Sequence, residues 1–146
     1  MSVSQGYKGK FMVGANTVAQ VTSVEYGGIT HDLSEYQLLA DEFKKFEHGQ
    51  SDGGKITLNV LLDCADTNGQ TVLRTASVNK TKLSVANSNA PKIYVDATNY
   101  FELSTSPVAE ALIENSHSIG AVDPKTNLVA SQFIMQVSNG YLMLHA

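Results

Sequence analysis

The sequence predicts a mainly β fold, a β-sandwich or small barrel with one short helix beside it. Residues 55–63 are the clearest strand, since Ile56, Leu58, Val60 and Leu62 alternate with more polar neighbours. Several further short runs, rich in β-branched or aromatic residues, are separated by Gly, Asn and Asp turn signals. With 146 residues, the chain is long enough for one domain with a real core, which we place at 1–146.

The N-terminal part contains two predicted strands and a segment that fits two structures. Strands are predicted at 7–13 and 18–26, with a turn at 14–16 between them and Gly27-Gly28 after them. From 29 to 48, apolar residues recur near helical spacing, and propensity favours a helix over 35–46. Ile29, His31 and Leu33 nevertheless alternate with polar residues as a strand would. The pattern alone leaves both structures open.

The rest of the chain alternates between strands and turns. A short helix is predicted at 70–77, between turns at 66–69 and 79–80. Residues 106–114 fit either a helix with proline at its first position or an irregular edge strand. The remaining predicted strands are 83–86, 93–95, 100–104, 128–137 and 141–144, with turns at 87–89, 123–127 and 139–140.

Composition and charge exclude several classes of function. The net charge is −4, from 10 basic and 14 acidic residues, and no cationic cluster exceeds Lys44-Lys45. Such a chain lacks the positive surface that grips nucleic-acid phosphates. No apolar run of about 18 residues is present, so no membrane span is predicted, and the N-terminus lacks the apolar core of a cleaved signal. The single cysteine, Cys64, excludes an intrachain disulfide and is expected to be a small core residue.

The sequence predicts no catalytic, cofactor or metal site. No two of the four histidines have metal-ligand spacing in the sequence. Asp63, Asp66 and Asn68 loosely resemble a calcium loop without its closing glutamate, and a capped turn is the favoured interpretation. His117 lies near Glu114, but the turn around it predicts a solvated histidine. The glycines before Lys55 lack the Gly-Lys-Ser/Thr ending of a phosphate loop. We therefore predict that the protein is not an enzyme.

The segment with Phe43 and Phe46 is the remaining candidate for function. Its aromatics either fold onto the domain's own core or dock on a neighbouring copy, and the residues alone do not separate these alternatives. Aromatic residues are enriched at the centres of interfaces. A long segment without chemistry of its own is commonly a binding segment.

At this segment the order of features resembles the major tail tube proteins of long-tailed bacteriophages. The resemblance covers most of the chain. It consists of a V-T-S first strand, an F-x-x-G-x-x-D-x-G segment, an amphipathic strand, a short helix and a last strand with a V-S-G-like turn. Here those features are Val21-Thr22-Ser23; Phe46, Gly49, Asp52 and Gly54; 55–63; 70–76; and Val137-Ser138-Asn139-Gly140, where Asn139 is inserted.

The resemblance implies a structural virion protein. Its members have a sandwich or barrel with a flanking helix, assemble into hexameric rings that stack into a hollow tube, and let DNA pass through during infection. The expected partners are further copies of the chain and tape-measure, tail-terminator and tail-tip proteins. The negative charge of six copies would keep DNA from sticking to the bore. The resemblance leaves contractile and non-contractile tails open.

The resemblance also implies an extended arm and loop over 29–54. We therefore expect extended structure at 29–38 and a loop at 39–54, against the propensity for a helix, and a strand at 106–114. The residues expected to contact a neighbouring subunit are Phe43, Phe46, Gly49, Asp52, Gly53 and Gly54.

An alternative function is a monomeric binding module for carbohydrate or adhesion. Tyr94, Asn99 and Tyr100 lie in or near turns and would suit sugar contacts. The chain has no tryptophan, the flat aromatic on which sugars commonly stack, and this argues against the alternative.

Overall fold

The structure is a computed structural model that describes residues 9–36, 42–125 and 128–145, and antiparallel strands are its main regular element. Sheet A contains five strands. In order across the sheet they are Leu142–His145 (β11), Tyr100–Leu103 (β8), Pro91–Tyr94 (β7), Lys10–Val13 (β1) and Asn16–Thr17 (β2). Sheet B contains four, in the order Val21–Tyr26 (β3), Lys55–Leu61 (β6), Ala130–Ser138 (β10) and Glu110–Asn115 (β9). The mainly β fold class is confirmed, and the described strands do not close into a barrel.

Sheet B is built on the alternation that the sequence shows in β6 and β10. Ile56, Leu58 and Val60 are buried, and the residues between them, Thr57 and Asn59, are half-buried. The same alternation runs along β10, where Phe133 pairs with Leu58 across the sheet. Each such side chain contributes about 1.5–3 kcal/mol when it is fully buried. A shift of one residue in register would expose this whole apolar row, so the pattern fixes the pairing.

The core lies between the inner faces of the two sheets and the helix. Sheet A contributes Phe11 and Val13, which are buried on β1. The helix, Gln70–Asn79 (α1), contributes Leu73 and Ala76 and contacts β9. Its start is fixed by Asp66, whose Oδ2 accepts the backbone N–H of Gln70 at 3.0 Å. The short predicted helix is confirmed, and no described helix is long and apolar enough to cross a membrane.

Two further strands, Thr30–Tyr36 (β4) and Lys45–Asp52 (β5), pair with each other and form a separate two-stranded sheet. We call this hairpin the arm. The extended structure expected from residue 29 onward is present to Tyr36, and residues 37–41 lie outside the described part. The loop expected at 39–54 is wrong over β5, and so is the helix favoured by propensity wherever 35–46 is described. Cross-strand hydrogen bonds outweigh the small helix propensities of the arm residues.

Several other predictions need correction or trimming, and the strands expected at 18–26 and 128–137 begin at Val21 and Ala130. The strand at 83–86 is wrong, because only Leu83 forms a bridge, to Ala111. The strand expected at 106–114 begins later, at Glu110, because the cis Ser106-Pro107 bond lies in a turn before it. The first predicted strand is described from Lys10 onward, since residues 1–8 lie outside the described part.

Candidate functional site

The two strands of the arm, β4 and β5, are hydrogen-bonded to each other. Within the described chain, neither strand pairs with a further strand along its other edge. Its register runs from Thr30 opposite Asp52 to Tyr36 opposite Lys45, with a bulge between His31 and Leu33. Every residue of both strands is exposed. An isolated two-stranded hairpin is marginally stable in water, and unpaired strand edges are sites for association. The arm therefore lacks, in a single copy, the contacts that usually stabilise a hairpin.

One face of the arm carries two large exposed apolar side chains, Leu33 and Phe46. Residues directly opposite in an antiparallel pair point to the same side, and side chains alternate along each strand. The pairs Leu33–His48 and Glu35–Phe46 therefore share a face. On this face Leu33 is 58% exposed and Phe46 is 54% exposed. We call it the histidine face, and its members are His31, Leu33, Glu35, Phe46, His48 and Ser51.

The base of the arm, which consists of Asp52, Gly53 and Gly54, is hydrogen-bonded to sheet B. Gln136 of β10 donates through Nε2 to Asp52 Oδ1 at 2.8 Å. The backbone N–H of Val137 donates to the Gly54 carbonyl at 2.9 Å. The Tyr26 hydroxyl donates to the Gly53 carbonyl and accepts the backbone N–H of Leu142 at 3.2 Å. One tyrosine thus joins the arm, sheet B and sheet A.

The two glycines at the base allow this close approach. A Cβ at Gly53 would collide with the backbone carbonyl of Gly140. Gly54 has φ +89°, and a Cβ there would collide with the carbonyl of Gly28. Only glycine fits both requirements at Gly54. The direction in which the arm leaves the body is therefore fixed by backbone packing.

Asp52 is the titratable group with a clear shift at this base. The backbone N–H of Gly54, which donates to Oδ1 at 2.8 Å, lowers the pKa of the Asp52 carboxyl below its ordinary value of 3.8. The hydrogen bond from Gln136 and the charge of Lys55 lower the pKa further. The carboxylate is ionised at neutral pH and is a stable acceptor for both donors.

The six residues expected at the site fall into two groups. Phe43 and Phe46 lie away from the base and are exposed, at 78% and 54%, so they do not fold onto the core of their own chain. Gly49 lies on β5 beside Asp32. The other three, Asp52, Gly53 and Gly54, form the base described above. The structure thus separates an exposed outer part of the arm from a rigid base.

Sequence reasoning missed several members of the site. Leu33 and the two arm histidines gain meaning only from the pairing of β4 with β5, which a single sequence does not specify. Gln136 is one of several polar residues on the outer side of β10, and its contact with Asp52 spans 84 residues. The alternation of Ile29, His31 and Leu33 was the one local signal that pointed to the strand.

The other residues considered for metal binding or catalysis either make structural hydrogen bonds or lie exposed at the surface. Asp66 Oδ2 accepts the backbone N–H groups of Ala19 and Gln70, and Asp63 Oδ1 accepts that of Ala65, which supports a capped turn. Cys64 is exposed, so its expected place in the core is wrong; it follows β6 in a turn at the surface. Among residues 9–36, 42–125 and 128–145, no group of three potential metal ligands lies together.

The aromatic residues proposed for sugar contacts stack on one another. The ring centroids of Tyr94 and Tyr100 are 4.7 Å apart, and those of Tyr100 and His145 are also 4.7 Å apart. The Lys10 ammonium lies 4.6 Å from the Tyr94 ring centroid. These contacts cover the ring faces that a sugar would use.

Solved structures with the same fold come from tail-like particles. One is a chain of the "Cryo-EM Structure of an Extracellular Contractile Injection System, PVC sheath/tube terminator in extended state", at TM-score 0.70 and 15% identity over 100% of this chain and 99% of that one. Another is from the "anti-feeding prophage cap (AFP tube terminating cap)", at TM-score 0.69 and 15% identity over 100% and 93%.

A third similar chain is from the "Tail of empty GTA particle computed with helical refinement, C6 symmetry", at TM-score 0.67 and 12% identity over 99% and 100% of the two chains. No protein-family model and no curated protein matches the sequence. At these identities the likeness establishes a shared fold along the full length of the chain.

Proposed function

We propose that this chain is a structural subunit of a phage-tail-like tube that assembles into hexameric rings. The observation that carries the proposal is the arm, a hairpin with two exposed faces and a rigid base on a body with the fold of tail proteins. A sixfold ring agrees with the C6 symmetry of the GTA tail. Stacked rings would form the tube of a virion tail, with tape-measure, terminator and tip proteins as further partners.

The edges of sheet B suit ring closure. Within the described chain, β3 pairs with β6 alone, and β9 has on its far side only the short bridge from Leu83 to Ala111. A β3 edge from one copy and a β9 edge from the next would extend the sheet from subunit to subunit. A head-to-tail contact that closes makes a ring, and closure removes the exposed edges.

The outer face of sheet B carries uncharged polar side chains and a paired lysine, which suits a surface that DNA passes without binding. Asn59 donates to Ser23 Oγ at 2.9 Å and accepts from Gln132 Nε2 at 3.1 Å, so uncharged polar groups are linked across three strands. Lys55, on the same face, has its Nζ 2.9 Å from a Glu114 carboxylate oxygen. Since that cation is already paired, little positive charge is left for phosphates. We place this face toward the bore.

The arm would then reach a neighbouring subunit. Phe43, Phe46 and Leu33 are exposed apolar side chains that water solvates poorly, and aromatic residues in such positions are common anchors of interfaces. Burying these side chains and the free strand edges in a neighbour would stabilise the arm and the assembly together. The fixed base at Asp52, Gly53 and Gly54 would set the direction of reach.

Electron microscopy of the purified full-length protein, with analytical ultracentrifugation over a range of concentrations, tests the proposal. Sixfold rings or tubes are the expected result. A strictly monomeric protein at millimolar concentration would overturn it. Long tubes identify a tube subunit, whereas single rings identify a tube-closing subunit. The fold is similar to chains from both kinds of assembly, with TM-scores of 0.70 and 0.69 to the terminator and cap chains and 0.67 to the GTA tail chain, so this experiment decides between the two roles.

A further inference from the structure

Strand pairing in the arm brings together two histidines that are 17 positions apart in the sequence. His31 lies on β4 and His48 on β5, and both belong to the histidine face. Their ring centroids are 5.2 Å apart, and the planes of the rings meet at 73°. Both residues are exposed, so an ion from solution reaches them without any opening of the fold.

A third residue orients one of these rings. His31 Nδ1 and Ser51 Oγ are 2.6 Å apart, within hydrogen-bonding distance. With its proton on Nδ1, the imidazole donates to the hydroxyl and leaves the Nε2 lone pair free. Histidines that bind metals have this arrangement, in which a partner on one nitrogen fixes the tautomer and the ring orientation for the other.

We propose that His31 and His48 form a two-histidine site for a late first-row divalent ion, of the class Zn²⁺, Ni²⁺ or Cu²⁺. Imidazole nitrogen suits these ions, and affinity is expected to be greatest for Cu²⁺. Since no third protein ligand lies nearby in the described chain, water completes the coordination. The two ligands come from different strands, so the ion ties β4 to β5.

The bound ion would stabilise the arm, whose two strands have no further strand beside them in the described chain. The backbone bonds between β4 and β5 hold the hairpin in a single copy, and an ion bound to the folded hairpin stabilises it by mass action. The site does not depend on assembly, because both ligands belong to one chain. A metal-free arm and a metal-loaded arm should therefore differ in local opening, even in the unassembled protein.

Calorimetric titration of the full-length, tag-free protein with NiCl₂ at neutral pH tests the site. One ion per chain is expected. Either His31→Gln or His48→Gln should weaken binding on the order of 100-fold, because a second ligand on the same chain raises affinity by about that factor. The matched controls are His117→Gln and His145→Gln, which should bind as the unchanged protein does.

Two further measurements separate a shared site from independent histidines. Trace Cu²⁺ should broaden the imidazole proton signals of His31 and His48 together, and either substitution should strongly reduce the broadening of the histidine that remains. Ser51→Ala should weaken binding several-fold, since it frees the His31 ring without removing a ligand. Equal affinity in His31→Gln, His48→Gln and the controls would overturn the proposal, as would broadening of all four histidines alike.

Discussion

The side chains of Asp52 and Gln136 join the arm to sheet B through a hydrogen bond of 2.8 Å from Nε2 to Oδ1. The same Asp52 oxygen accepts the backbone N–H of Gly54. One carboxylate therefore fixes both the end of the arm and its position against β10. Since the arm has no other hydrogen-bonded strand beside it in the described chain, this junction acts together with the packing of Gly53 and Gly54 to set where its exposed face points.

The Gln136→Ala variant should loosen the arm without unfolding the body. Gln136 is half-buried at the sheet surface, so the core is preserved and the denaturation midpoint should change little. Amide hydrogen exchange in β4 and β5 should become several-fold faster, and assembly should weaken. Gln132→Ala is the matched control, because Gln132 lies on the same face of β10 and bonds to Asn59 instead. Equal exchange in the arm of both variants would contradict this role.

The same junction predicts a pH dependence. Because the folded pKa of Asp52 lies below the ordinary 3.8, its stabilising effect is fully present above that value and is lost as pH falls through the folded pKa. The Gly54 amide signal, followed by NMR, should titrate with a midpoint below 3.8. In Gln136→Ala the midpoint should move upward, since one of the stabilising donors is gone. A midpoint at or above 3.8 in the unchanged protein would be inconsistent with this.

Local sequence patterns predicted the body of the fold well. The alternation in β6 and β10 reflects burial of one face, and burial leaves a period of two in the sequence. Burial also leaves a signal in the short helix, where the buried residues Leu73 and Ala76 recur at helical spacing. On β5, where burial is absent, this alternation is absent too. Both faces of β5 are exposed, so Lys45–Asp52 has no apolar alternation and its sequence predicts a loop.

The site was predictable in part, for the same physical reason. Asp52 and the glycines that follow it are residue types that favour turns, and this preference is local and visible in the sequence. Phe43 and Phe46 were identified as aromatics in a polar segment, and their exposure in the structure agrees with a surface role. The partnership of His31 with His48 and of Asp52 with Gln136 depends on tertiary pairing. No spacing rule along the chain contains that information.

The glycines at the base predict a graded series of alanine variants. Gly28→Ala should cost about 1–2 kcal/mol of unfolding free energy, because φ +81° is strained for alanine while the space around it is open. Gly54→Ala adds a collision with the Gly28 carbonyl to the same strain. Moving that backbone should bring the cost to about 3 kcal/mol.

Chemical denaturation of the two variants measures the difference. Gly28→Ala is the control for strain alone, since the two glycines have similar φ angles and differ in their surroundings. The free energy of unfolding should fall further for Gly54→Ala. Equal losses would show that the close approach at the arm base is not a constraint on the fold.

The Phe46→Ala variant should affect assembly far more than folding. Phe46 is largely exposed in a single chain, so its removal should change the unfolding free energy by no more than about 0.5 kcal/mol. Buried in a neighbour, the same ring is an interface anchor, and its loss should weaken association at least about tenfold. Analytical ultracentrifugation measures association, and chemical denaturation measures folding.

Two controls make this prediction specific. Phe133→Ala removes a fully buried aromatic and should cost about 3–5 kcal/mol of folding free energy. Tyr36→Ala removes an exposed aromatic from the opposite face of the arm, where it pairs with Lys45. If the histidine face docks on the neighbour, Phe46→Ala disrupts assembly and Tyr36→Ala has little effect. The reverse result would place the interface on the other face of the arm, and normal assembly of both variants would remove the arm from the interface.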